Sequence, residues 1–154
     1  MKAVTYSEYA PDDNYAKILK VQDIDDPKPK ADEVVFEVKS AALNYNDIWG
    51  MRGQPVPVPL PHVSGSDAAG DVIAIGEDVK NIKIGDKVVS HSNMSCRVCK
   101  ACTDGREFDC IKRTIWGFQT GPNWGAFQEV THLPEVNVSK IPEGVSYDQA
   151  AAAS

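Results

Sequence analysis

The chain has 154 residues, 42% hydrophobic and 25% charged, with 22 acidic against 16 basic side chains for a formal net charge of −6. That length and balance suit one soluble globular domain with a real core. The acidic surplus argues against nucleic-acid and anionic-membrane partners. No apolar run approaches the roughly 20 residues that span a bilayer, and the opening MKAVTYSEYA is not a signal sequence, so the expected compartment is the cytoplasm.

Residues 2–6, KAVTY, read as a short strand, followed by a polar turn at 11–14 and a second strand near 18–21. The Pro-rich run at 23–33 is a solvated connector. Residues 33–42, EVVFEVKSAA, alternate well enough to be a long strand with one buried face. Residues 46–51, NDIWGM, fit a helical turn. The run PVPVPLPHVSG at 55–65 must be extended loop, because proline supplies no ladder donor. Strands are expected at 68–76, 85–90 and 125–132. Between the last two lies a charged excursion, 91–113. Ser146 followed by Gln149 makes a capping-box pattern, so a helix should begin at Tyr147 with Ala150 to Ala153 inside it. A stop one turn into that helix is read as a partial boundary. Many short strands separated by turns predict a mostly-β domain, a small barrel or sandwich with short helices and a metal-bound insert.

The chain's four cysteines, Cys96, Cys99, Cys102 and Cys110, fall inside that excursion as C-x2-C-x2-C-x7-C. Four thiolates form a closed, tetrahedral structural zinc site, and using all four leaves none for a second, catalytic zinc. Two disulfides or an iron–sulfur cluster are the competing readings. The first suits an oxidising compartment, and the second usually spaces its last cysteine differently, often before proline, where this chain has Ile111. A lobe so charged buries little apolar surface and needs a metal to hold its shape.

The order NYND, GSDAAGDVIAIGEDVKNIKIGDKVV, the cysteine lobe and GAFQEV resembles the GroES-like catalytic domain of the medium-chain dehydrogenase/reductase superfamily, over essentially the whole chain. The resemblance implies a partly open β-barrel with a structural zinc lobe. It also implies a small-molecule substrate and a following Rossmann domain that binds NAD(P)H, with NADPH favoured. No G-x-G-x-x-G occurs here, so this chain alone is expected to be inactive. Members are usually dimers or tetramers through the nucleotide domain. Zinc alcohol dehydrogenases of the superfamily place a Cys and a G-H-E motif where this chain has Asn44 and the Ser66–Asp67 pair of GSD. One carboxylate with neutral oxygens is a poor zinc site. The runs LNYNDIWG (43–50), VSGSDAAG (63–70), VVSHSN (88–93) and IWGFQT (115–120) resemble crotonyl-CoA and acryloyl-CoA reductases more closely, with quinone oxidoreductases also similar. Gln119 stands where carboxylating members carry an acid, so carboxylation is not expected. The implied reaction is hydride transfer to an activated C=C bond, an acyl-CoA being the expected substrate. A zinc alcohol dehydrogenase is the alternative, and a zinc-stabilised binding module is the non-enzymatic one.

Candidate catalytic residues follow. Asn44 and Asn46 would donate to a substrate carbonyl or the nicotinamide, and Tyr45 would donate to an enolate or wall the pocket. The bland reading of this run is an Asx turn capping the next helix, with Asp47 as a structural cap. Asp67 is a site acid or a buried carboxylate paired with a cation. His91 would deliver a proton, against the ordinary reading of a satisfied surface or core histidine. Trp49, Trp116 and Phe118 would line an acyl pocket or the core, and Trp124 belongs at the surface or in a turn. Gly65 and Gly70 serve close backbone packing.

Overall fold

A computed structural model describes residues 1–122 and 124–154. The elements are β1 (Lys2–Thr5), α1 (Tyr15–Ile18), β2 (Lys20–Asp23), β3 (Glu33–Ala42), α2 (Tyr45–Arg52), β4 (Asp67–Ile75), β5 (Lys87–Ser90), β6 (Asn93–Met94), α3 (Lys100–Thr103), β7 (Thr114–Ile115), β8 (Val130–Pro134), β9 (Val138–Lys140) and α4 (Tyr147–Ala152). Five strands form an antiparallel sheet in the order β8-β3-β4-β5-β9, which curls into a half-barrel; β1–β2 and β6–β7 are separate hairpin-like pairs. The mostly-β, partly open barrel expected from the sequence is present. No helix among the described residues is long and apolar enough to cross a membrane.

The barrel core is Val34, Phe36, Ala68, Val72, Ile82, Val88, Trp116, Ala126, Leu133 and Val138. β3 departs from simple alternation: Glu33 to Phe36 are all buried, and alternation sets in only from Glu37. The buried stretch is the one flanked on both sides, by β4 and β8. A second cluster, Tyr6, Ala10, Ile18, Met51, Val58 and Phe118, joins the N-terminal segment to α2 and the proline loop.

Two glycines permit backbone contacts that no side chain would allow. A Cβ on Gly70 would lie 1.9 Å from the Glu37 carbonyl oxygen on β3. Gly65, at φ +104°, would place a Cβ 2.7 Å from that of Ala126.

Three expectations are corrected. The second strand begins at Lys20, because Tyr15–Ile18 closes a helical turn that delivers Ile18 to the core. The strand expected over 125–132 is β8, Val130–Pro134. Residues 126–129 instead cross between partners, Ala126 and Phe127 donating to Gly65 and Ser64, and Glu129 to Lys2. Trp124 is partly buried against the core, stacked on His132 with its indole N–H donating to the His132 carbonyl at 2.7 Å. The strand β9 was not expected at all.

Candidate functional site

The segment after β3 turns into α2 through a reciprocal cap. The Asn44 Oδ1 accepts the Asn46 N–H at 3.2 Å, and the Asp47 carboxylate accepts the Asn44 N–H at 2.8 Å. The other Asp47 oxygen accepts the Gly65 N–H at 3.0 Å, tying α2 to the loop that enters β4. Asp47 is only 5% exposed. Burial pushes its pKa up to about 6, against the lowering effect of the two N–H donors.

The Asn44 amide also reaches across the sheet. Its Nδ2 donates to Asp67 Oδ2 at 3.0 Å, and the Ser154 hydroxyl donates to Asp67 Oδ1 at 3.1 Å. Asp67, 5% exposed, therefore sits where β3, β4 and the end of α4 converge. The cation of the alternative reading is not beside it among the described residues; an amide and a hydroxyl hold it instead.

Asn44 and Tyr45 line a cavity of about 540 Å³ between β1 and α2, together with Val4, Leu43, Ile48 and Phe127. Tyr45 is 57% exposed, edge-on to Trp49, with its hydroxyl 3.4 Å from Arg52. Arg52 is itself clamped by Asp13 at 2.6 and 2.8 Å. Asn46 is half-buried and contributes its backbone N–H to the cap. His91 stands apart. It is exposed and lines a different cavity of about 330 Å³ with Ser139 and Ser154. The structure thus joins Asn44 to Asp67 directly and Tyr45 to the same cavity rim, and puts His91 in a separate cavity that meets the Asp67 cluster only through Ser154. Trp116 is fully buried core and Phe118 belongs to the second cluster; Trp49, on α2, alone of these aromatics is exposed. Ser154 and the pair Tyr6 and Ser64 went unrecognised in the sequence. Their site contacts span 87 and 58 positions, and no local pattern announces them.

In the lobe, the four cysteine sulfurs lie within 4.8 Å of one another. The Cys96–Cys102 and Cys99–Cys102 sulfurs are 3.9 and 3.5 Å apart. Thiolates at about 2.3 Å from a tetrahedral zinc would be about 3.8 Å apart, so this donor set fits that ion. The Val98 and Cys99 backbone N–H groups lower the Cys96 thiol to about 6, favouring the thiolate a metal needs. Hairpin β6–β7 closes the base of the lobe, and Cys96 N–H donates to Cys110 Sγ at 3.4 Å.

Comparison with known proteins agrees with this geometry. The alcohol dehydrogenase GroES-like domain profile matches residues 30–143. The crotonyl-CoA carboxylase/reductase of Cereibacter sphaeroides is 33% identical over 139 residues, 86% of this chain and 32% of that protein. The L-threonine 3-dehydrogenase of Aliivibrio salmonicida is 28% identical over 155 residues, 98% of this chain and 43% of that protein. A crystal structure of an NAD-dependent alcohol dehydrogenase superposes with a TM-score of 0.89 at 36% identity, covering 99% of this chain and 43% of that one. The chain therefore spans less than half the length of the curated relatives it matches. With its half-barrel, its cysteine lobe and this match over most of its length, the chain belongs to the alcohol dehydrogenase GroES-like domain family of the medium-chain dehydrogenases/reductases.

Proposed function

We propose that this chain is the substrate domain of an NAD(P)H-dependent reductase that adds hydride to the activated C=C bond of an enoyl thioester, using no metal at the reacting centre. The observation that carries the reading is the Asn44–Asp67–Ser154 cluster. It offers a single carboxylate among a neutral amide and a hydroxyl, a poor donor set for zinc, while all four thiols of the chain are gathered in the lobe. Cys96, Cys99, Cys102 and Cys110 would hold one zinc ion that shapes the lobe.

A nicotinamide, NADPH in this reading, supplies the hydride when bound. The residues of this chain have the remaining tasks. Asp67 orients the Asn44 amide through one N–H, leaving the second to donate to a substrate carbonyl. Hydride arriving at the β-carbon drives charge onto that oxygen, and a fixed donor there stabilises the developing enolate. Tyr45 walls the rim, and the apolar lining of the cavity excludes water from the acyl group. The similarity to a crotonyl-CoA carboxylase/reductase supports the thioester. The second reading, alcohol oxidation, is supported by the likeness to an NAD-dependent alcohol dehydrogenase, and it would require another metal. The test is metal content: the native protein carrying this sequence should hold one zinc per polypeptide, and two would overturn the proposal.

A further inference from the structure

β8 sets a histidine beside a buried ion pair. Glu33, 2% exposed, opens β3, and its carboxylate accepts the Lys30 ammonium at 2.9 Å and the Lys30 backbone N–H at 3.1 Å. The His132 ring stops short of that pair, with Nε2 4.0 Å from Glu33 Oε2, beyond hydrogen-bond reach. Its other nitrogen, Nδ1, is buried and has no partner among the described residues. The ring lies flat on Trp124, 12° from parallel with centroids 5.2 Å apart, and the Lys30 ammonium stands 5.2 Å from the centre of the same indole. Glu33 from β3 and Lys30 from the connector before it are the charged groups whose fields reach the ring.

A neutral imidazole carries one ring proton. With no acceptor near Nδ1, that proton belongs on Nε2, facing Glu33. A second proton would sit on Nδ1, buried without an acceptor and in the field of Lys30. Burial lowers the His132 pKa below the ordinary 6.5; Glu33 opposes that shift and Lys30 adds to it. The stability the stacked, neutral ring contributes is therefore complete above pH 6.5 and is lost as pH falls through the lowered value.

The stack holds more than itself. The Trp124 indole N–H donates to the His132 carbonyl at 2.7 Å, and the Trp124 carbonyl accepts the Gly117 N–H at 3.1 Å and the Thr120 hydroxyl at 3.0 Å. Gly117 lies against the loop that enters β4, since a Cβ on it would stand 1.8 Å from the Gly65 carbonyl oxygen. We propose that the Trp124–His132 stack is a proton-operated latch: neutral His132 holds Trp124 and, through it, Gly117 against Gly65, and a second ring proton draws the imidazolium to Glu33 and releases the indole. The inference goes beyond the proposed reaction, because it concerns how the segment before Asp67 is held, whatever the chemistry.

The test follows the Trp124 indole N–H resonance of the native protein carrying this sequence, labelled with nitrogen-15, from about pH 8 to about pH 5. Trp124→Phe identifies the signal, and subtracting that variant's fluorescence isolates the Trp124 emission. One transition is expected, centred below pH 6.5, in which the indole N–H exchanges with water about tenfold faster while the Trp124 emission rises and shifts to the red. The Gly117 amide should lose protection with the same midpoint, and the β4 amides should keep theirs. His132→Asn should abolish the transition. Lys30→Met, at a side chain 70% exposed where folding is not at stake, removes a cation from the ring's surroundings and should move the midpoint up. If His132→Asn does not fold, Lys30→Met decides alone. A fall in emission would overturn the latch, because an imidazolium that stays stacked quenches the indole. So would the absence of a transition, one that survives His132→Asn, a Lys30→Met midpoint that stays or falls, a Gly117 amide that remains protected, or loss of protection in β4 at the same midpoint. None of these readouts depends on turnover of enoyl thioesters.

Discussion

Asn44 serves two purposes through one amide group, capping α2 with its oxygen and gripping Asp67 with its nitrogen. The sequence run NYND announced the cap, because Asn and Asp favour such turns, but the grip on Asp67 depends on the register that sets Ala42 beside Asp67. Asp47 is the residue whose energetics are easiest to test. Its folded pKa, about 6, lies above the 3.8 of a free aspartate. The folded state therefore holds the proton more tightly, and the stability this contributes is present below pH 4 and is lost as pH rises through 6. Asp47→Asn keeps one acceptor oxygen but turns the other into an N–H2 donor facing a backbone N–H, and should destabilise by about 1–3 kcal/mol. In urea unfolding, the gap between the two proteins should be larger at pH 5 than at pH 7. A gap that widens at pH 7 would show that the two N–H donors outweigh burial and favour the carboxylate. His62 runs the other way. Burial lowers its pKa while both ring nitrogens sit 3.1 Å from carbonyls of Pro59 and Gly117, so its share of stability is complete above pH 6.5 and declines as pH falls below that.

The elements differ in what fixes them. α4 was readable because Ser146 and Gln149 cap each other reciprocally, at 3.2 and 3.0 Å, a wholly local device. Ser146→Ala should cost about 1 kcal/mol in a urea melt, and no change would mean that α4 is held by its packing of Ala150 and Ala151 on Ala69 alone. β9 was not readable. Three residues carry no periodicity, and the strand exists because Val138 to Lys140 pair with β5. The shift of β8 has a similar origin, since the preceding residues bond sideways to β1 and to the loop before β4. The gathering of the four cysteines was legible because ligand spacing is chemistry rather than periodicity, whereas the short helix α3 inside the lobe was not. The lobe's base is only the two-residue pairing of β6 with β7, so a zinc ion on the four thiolates would carry most of its order. Chelation or Cys110→Ser should therefore strip hydrogen-exchange protection from residues 96–113 and leave β3 and β4 protected. Loss of protection across both strands would mean that the lobe supports the half-barrel itself.

At the scale of the molecule, the half-barrel sets the N-terminal end of α2 and the start of β4 side by side, with Ser154, just past α4, closing the cluster, while the thiols are gathered in a separate lobe. That separation is the central physical claim. If the Asn44–Asp67 cluster is the reacting centre, as proposed, its amide can hold an enolate, whereas reduction of a simple carbonyl would call for a Lewis acid. The most direct measurement is NADPH and NADH oxidation by the native protein carrying this sequence, offered crotonyl-CoA and acryloyl-CoA beside simple aldehydes. The account predicts turnover of the enoyl thioesters and none of the aldehydes; turnover of aldehydes alone would contradict it.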